Sequence, residues 1–382
     1  MASIVDSAKM NNFGIGTVVE PILVNKNAST GGGGRRKKKT LFDIPQAVHA
    51  EHPQQQLLSE FADGISPVDA VSMPTATNDC NNNSIEDIQS DRRRGPIDPT
   101  NFDHLVRLSE LIRSMADLGT LQPEFGIICG SGLGAIADQM EGARILPFSE
   151  VPGFPQPSVI GHKGNLVFGR IGGHFCMCLQ GRFHPYEHKM DMALCTMPVR
   201  LMALLGVRTM IVSNAAGALN GDFQTGDLMV IKDHIFLPGL SGHSPLLGIS
   251  DPRFGSRFVS LHNAYDKELR KKAMSLGRQM KVPLREGIYV MNSGPQYETA
   301  AECSLIARMG GDAVGMSTCH EVTVARQCGM RVFGFSLITN CSSVDSDEPV
   351  EVSHDEVLEV AAKGGALASK WMAELIRQIS EK

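Results

Sequence analysis

Phe125-Gly126-Ile127-Ile128-Cys129 runs without a polar side chain into Gly130-Ser131-Gly132-Leu133-Gly134. An apolar run this short, rich in branched and aromatic residues and closed by glycine, reads as a buried strand, and a helical pattern follows it. Strand, glycine turn and helix in that order open an α/β fold. Such a turn leaves backbone amides free at a helix start, where they face an anion. Ser131 adds a hydroxyl. The turn lacks both the Lys of a P-loop and the spacing of a dinucleotide fingerprint, so taken alone it also reads as a plain strand-to-helix turn.

The alternation continues on both sides. Upstream, Leu105, Leu108, Leu111, Ile112, Met115 and Leu118 recur at helical spacing until Gly119 ends the run. Downstream, apolar runs at 166–171, 175–179, 207–212, 228–231, 288–291, 313–315 and 332–337 alternate with helical patterns near 188–205, 266–280, 299–309, 320–328 and 353–379. This predicts a single-domain α/β sandwich over residues 98–382, with a central mixed β-sheet flanked by helices. Residues 1–97 lack apolar periodicity. They carry Gly31 to Gly34, Arg35 to Lys39, a Gln54-Gln55-Gln56 tract and Arg92 to Arg94. Such a stretch buries too little apolar area to offset its ordering entropy and is expected to be a disordered, low-complexity extension. Arg35 to Lys39 reads either as a nuclear-import or anionic-surface element or as a plain solvated charge run.

Composition narrows the function classes. A net charge of −5 over 382 residues gives no global basic field, so nucleic acid is not an expected partner. No apolar run approaches the ~18 residues of a membrane span, and no basic start leads into an apolar stretch, so the expectation is a cytoplasmic protein without a membrane partner. The nine cysteines are scattered through apolar runs, and Cys176 and Cys178 suit alternating strand positions better than a metal knuckle. They read as reduced core thiols, and no metal site is expected.

Polar side chains then collect where the strands end, the place where open α/β sheets bind ligands. Gln180-Gly181-Arg182-Phe183-His184-Pro185-Tyr186-Glu187 offers a guanidinium fork suited to phosphate oxygens, with His184 and Tyr186 on its side of an extended chain. The alternative is a surface loop with an ion pair between Arg182 and Glu187. His162 lies in a loop, Pro157 to Gly164, where it is either structural or functional. Ser213-Asn214-Ala215-Ala216-Gly217 has small residues that allow close backbone approach. Tyr297 and Glu298 stand together at a helix start, either as a stacking ring and a base reader or, for Glu298, as a cap. Met316-Ser317-Thr318 and Ile338-Thr339-Asn340 end two more strands.

From about Asn101 to the C-terminus these elements resemble the trimeric, low-molecular-weight purine nucleoside phosphorylases. The segments 127–134, 180–184, 213–217, 312–318 and 332–340 look like that family's motifs, in the family's order. The resemblance implies a phosphorylase/hydrolase-like fold and reversible phosphorolysis of (deoxy)inosine and (deoxy)guanosine, with inversion at the anomeric carbon. No cofactor is implied, inorganic phosphate being the co-substrate. It assigns phosphate to Ser131, Arg182, His184, the Ala215 backbone and Ser317, with His162 above it on a loop that closes. It assigns the ribose to Tyr186, Met316 and His354, the last reaching the 5′-hydroxyl. The purine falls to Tyr297, which stacks, Glu298, which accepts from N1–H, and Asn340, which bonds N7 and O6. A phenylalanine is expected to cross a homotrimer interface onto the neighbour's ribose, and Phe254 matches it. Three features depart from the family: Tyr297 stands where Phe is frequent, Cys341 stands where vertebrate-like members carry Lys, and the loop 342–350 is acidic. A methylthioadenosine phosphorylase would present a carboxylate at the position of Asn340. A catalytically silent paralogue would lack competent site residues, and none is missing.

Overall fold

The computed structural model describes residues 96–342 and 352–379. The extension expected over 1–97, save its last two residues, lies outside them, as does most of the acidic loop after Ser342. A first helix, α1 (Phe102–Met115), starts where the sequence places it, its N-terminus closed by the Asn101 side chain accepting from His104 N at 3.1 Å.

Nine strands follow in one sheet. β1 (Phe125–Ile128) has all four residues buried, as a strand between two parallel neighbours should. β2 (Glu141–Pro147) is a mostly exposed edge, and it pairs antiparallel with β3 (Asn165–Ile171), which in turn pairs antiparallel with β4 (His174–Gln180). Helix α2 (Met192–Leu205) leads into β5 (Thr209–Ala218). Next come β6 (Leu228–Phe236), α3 (Lys267–Met280) and β7 (Leu284–Met291). The last elements are α4 (Ala300–Arg308), β8 (Ala313–Gly315), α5 (Cys319–Gln327), β9 (Arg331–Cys341) and α6 (His354–Gln378).

The strand order is β2-β3-β4-β1-β5-β8-β7-β6-β9, and β9 returns to pair with β5. One end of the sheet is therefore open and the other closes into a five-strand ring. Parallel pairs (β1 with β4 and β5, β5 with β9) mix with antiparallel ones (β5 with β8, β6 with β9), so the mixed α/β sheet expected from the sequence is present. Along β5 and β9, Ala216 is level with Ile338 but Gly217 with Asn340, a bulge at Thr339. Helices cover both faces. The buried stripe of α6 includes Trp371, whose indole N–H donates to Ala273 O on α3 at 3.3 Å.

Three local expectations change. The helix expected after the glycine turn is only a 3-10 stretch, Gly134–Gln139. β2 escapes a search for apolar alternation because its side chains face water. The small-residue segment at Ser213–Gly217 is strand throughout. Among the described residues eight cysteines are free and six of them are buried, in keeping with core thiols, but Cys341 is exposed. No described helix is long and apolar enough to cross a membrane.

Candidate active site

A cavity of about 360 Å³ opens where β1, β4, β5, β8 and β9 end together. Its floor needs glycine. A Cβ on Gly130 would lie 2.6 Å from Ser213 O, so β1 and β5 approach this closely only because none is there. Gly132, at φ +71°, turns the chain under α6 against Ala361.

Ser131, Arg182, His184, Ala215 and Ser317 are among the residues that line the cavity. Arg182 is buried, and its partner is not the Glu187 suggested by sequence proximity. Its Nε and Nη2 donate to the Glu321 carboxylate at 3.2 and 2.7 Å, and Nη1 donates to Ser213 O at 2.6 Å. Glu187 instead accepts from His184 Nδ1 at 2.9 Å and from Ser158 Oγ at 2.7 Å, tying the strand end to the loop that carries His162. Burial works to raise the Glu187 pKa, but the donors from His184 and Ser158 outweigh it and hold the carboxyl well below its usual range.

His162 does not itself line the cavity but stands directly behind it. Its Nδ1 is 3.0 Å from Arg182 O, and its Nε2 is 3.3 Å from Ser131 Oγ. With Nδ1–H donating to the carbonyl, Nε2 accepts from the serine. Burial, followed by the positive fields of His184 and Arg182, lowers the His162 pKa to about 3, so the ring is neutral. His162, His184 and Tyr186 form a stack: adjacent rings lie 5.4 and 5.0 Å apart at 16° and 11°. Burial pushes the Tyr186 phenol up to about 12, which keeps its proton.

Ser317 is held by its neighbour Thr318 and by Tyr289, the latter a residue the sequence did not single out. Its backbone N–H donates to Tyr289 Oη at 3.3 Å, and its hydroxyl lies 3.3 Å from Thr318 Oγ1. Asn214 Nδ2 donates to Thr318 Oγ1 at 2.8 Å. Thr318 has φ +79° and ψ −54°, with Cys319 N donating to Ser317 O at 3.0 Å. This is a γ-turn of the rarer, strained hand. Thr318-Cys319-His320-Glu321 has the residue pattern of a capping box, yet Thr318 makes no cap and Glu321 turns away to Arg182.

Tyr297, Glu298 and Asn340 line the same cavity. Tyr297 is 41% exposed, its ring free to take a planar partner. Burial raises the Glu298 pKa, against a donated bond from Asn292 Nδ2. The bulge in β9 brings Asn340 beside Gly217, where a Cβ would lie 2.9 Å from Asn340 Nδ2 and 2.7 Å from Ser342 Oγ. Met316, Tyr186 and His354 line it too, and His354 Nε2 is 3.4 Å from Ile160 O on the loop preceding His162.

Phe254 requires a correction. It is 1% exposed and packed within its own subunit, edge-on to Phe102 at 5.1 Å and under the Arg200 guanidinium at 4.6 Å. A ring buried this way cannot cross an interface. The exposed phenylalanine of the same segment is Phe258, at 90%. The sequence signal was a matching motif, which does not distinguish a buried from an exposed phenylalanine four residues apart.

Comparison with known proteins places these features in context. The phosphorylase superfamily model matches residues 124–377. A purine nucleoside phosphorylase of Bos taurus is 48% identical over 260 residues, 68% of this chain and 90% of the relative. That of Geobacillus stearothermophilus is 45% identical over 260 residues, 68% of this chain and 92% of the relative. Among solved structures, Schistosoma mansoni purine nucleoside phosphorylase in complex with inosine has a TM-score of 0.70 and 41% identity, covering 74% of this chain and 99% of its own. The same organism's enzyme has also been solved with adenosine.

Proposed function

The chain belongs to the purine nucleoside phosphorylases of the phosphorylase superfamily, and from that premise we propose how its own residues carry out phosphorolysis. The carrying observation is one cavity lined both by groups that suit an oxyanion, Ser131, Arg182 and Ser317 among them, and by groups that suit a purine, Tyr297, Glu298 and Asn340. Phosphate sits at Ser131, Arg182, His184, the Ala215 N–H and Ser317, with the neutral His162 ring behind Ser131. The ribose lies against Tyr186 and Met316, its 5′-hydroxyl toward His354. The purine stacks on Tyr297, donates N1–H to Glu298, and meets Asn340 at N7 and O6.

The chemistry follows from charge. As the glycosidic bond breaks, the ribose becomes oxocarbenium-like and the purine gains electrons. Glu298 and Asn340 hold the leaving base, while the phosphate balances the ribosyl cation and attacks the anomeric carbon from the opposite face. One substitution on that face inverts the centre and yields ribose 1-phosphate. No oxidation state changes, so the proposal calls for no organic cofactor and no metal, only inorganic phosphate.

Selectivity for 6-oxopurines is part of the proposal. Asn340 Nδ2 donates to the carbonyl O6 and Oδ1 accepts from N7 once the leaving base carries a proton there, while Glu298 accepts the N1–H that a 6-oxopurine has and a 6-aminopurine lacks. Homotrimeric assembly is a further part, supported by the exposed Phe258, Leu240 and Leu247 between β6 and α3. Phe258 then takes the interface role expected of Phe254. A cytosolic location fits the acidic charge balance, with Arg35 to Lys39 as a route to the nucleus that a fluorescent fusion would reveal.

The decisive assay follows base release from inosine, guanosine and adenosine, with and without phosphate. The proposal expects phosphate-dependent release, with inosine and guanosine well ahead of adenosine. Release without phosphate, or adenosine as the preferred substrate, overturns it.

A further inference from the structure

Arg182 and Glu321 meet where neither reaches water, their side chains 1% and 3% exposed. The carboxylate and Ser213 O together take three of the five N–H groups of the guanidinium, leaving one on each terminal nitrogen for a ligand. Burial works to raise the Glu321 pKa, but Arg182 beside it prevails and the carboxyl stays below its usual value, ionised. The pair therefore carries no net charge. Among the described residues that line the cavity Arg182 is the only arginine or lysine. On the reading above, this neutral pair receives a phosphate dianion.

We propose that Glu321 is a counter-ion that sets how tightly the enzyme holds phosphate: it steadies Arg182 in the empty site and weakens the grip on the anion in the filled one. The inference rests on the assignment of phosphate to the Arg182 group. Two physical effects carry it. Glu321 occupies the side-on, two-bond face of the guanidinium that an oxyanion would otherwise take. It also opposes the phosphate through an interior too dry to screen one charge from another. A buried arginine without a partner destabilises the fold, so Glu321 stabilises chiefly the empty enzyme, and phosphate takes over that role when it binds. Release of phosphate and of the phosphorylated sugar is the functional gain.

Four proteins test this: wild type, Glu321→Gln, Arg182→Gln and the double variant, with inorganic phosphate and inosine as probes. Glu321→Gln is expected to lower the phosphate KM about tenfold while inosine KM stays within about twofold. Its melting temperature should fall without phosphate and rise more than wild type on adding it. Arg182→Gln leaves a bare carboxylate toward the anion and should raise phosphate KM about a hundredfold. Adding Glu321→Gln to it should recover about tenfold. That recovery is measurable even where Glu321→Gln alone fails to fold, and a merely structural carboxylate would not produce it. An unchanged or raised phosphate KM in Glu321→Gln, or no recovery in the double variant, overturns the proposal. An unchanged phosphate KM in Arg182→Gln overturns instead the assignment of phosphate to this group, and the proposal with it.

Discussion

The imidazoles of His162 and His184 lie nearly parallel, 5.4 Å apart, although 22 positions separate them in sequence. They meet because the Arg182 backbone receives His162 Nδ1 while Glu187 holds His184 Nδ1. Among the described residues burial is the largest cause lowering the pKa of four histidines: His162 to about 3, His234 and His320 to about 4, and His188 in the same direction. Unfolding restores their ordinary affinity for protons. The stability each provides is thus complete above about pH 6.5 and is lost as pH falls toward the folded values, at about 1.4 kcal/mol per pH unit for each group inside that window. Without phosphate, the urea midpoint should fall between about pH 7 and about pH 5, and His320→Gln should flatten the slope. A midpoint constant over that range would refute the account.

Asn340→Asp should slow inosine and improve adenosine relative to it, because an ionised carboxylate repels O6 but accepts from a 6-amino group. Ratios of kcat/KM for the two nucleosides measure this, and an unchanged ratio removes Asn340 from base selection.

Gly217→Ala places a methyl against Asn340 Nδ2 and Ser342 Oγ. The nucleoside KM should rise about tenfold, a contact shift of a few tenths of an ångström at a directional polar group being enough. On the proposed assignment of phosphate to the Arg182 group, the phosphate KM should not move. Equal changes in both constants would mean that the two groups are not separate.

The two phenylalanines should part company under truncation. Phe254→Ala empties a packed site between Phe102 and Arg200 and should cost about 3–5 kcal/mol of stability. Phe258→Ala should leave the melting temperature of the subunit alone while raising the nucleoside KM and weakening assembly. Light scattering beside the inosine assay decides it, and a Phe258→Ala protein identical to wild type in both would rule out its interface role.

Deleting residues 1–95 should leave the inosine kinetics nearly intact. Every residue assigned to phosphate, ribose or base lies at or beyond Ser131, and the superfamily match begins at residue 124. An inactive truncated protein would show that the extension takes part in the site.

The fold was legible where burial forces apolar runs, as at β1, and the start of α4 was placed, although its cap was offered to Glu298 and belongs to Thr299 and Glu302. It was illegible at β2, whose side chains face solvent on an edge. Most of the cavity lining was readable because its residues cluster at strand ends. Glu321 was not: it sits in the position of a helix cap, and only tertiary structure shows that Arg182, 139 positions away, claims it instead. Tyr289 escaped for the same reason, since it reaches Ser317 from within β7, and although Asn214 and Thr318 stood in segments the sequence pointed to, the bond between them is a tertiary one. Phe254 was misread because a motif fixes a neighbourhood but not which of two rings points outward.

Thr339 is the extra residue of β9. Side chains along a strand alternate between faces, so one added residue exchanges every odd position for an even one. Ahead of Thr339, β9 keeps step with β5 from Thr209 opposite Arg331 to Ala216 opposite Ile338; past it, Asn340 rather than Thr339 stands opposite Gly217. Relative to β5, however, Thr339 is pure surplus: without it the asparagine would follow Ile338 directly and still stand opposite Gly217, in an unbroken ladder. What the extra residue adds is therefore the local bend of the strand beside the cavity, and not the facing of Asn340.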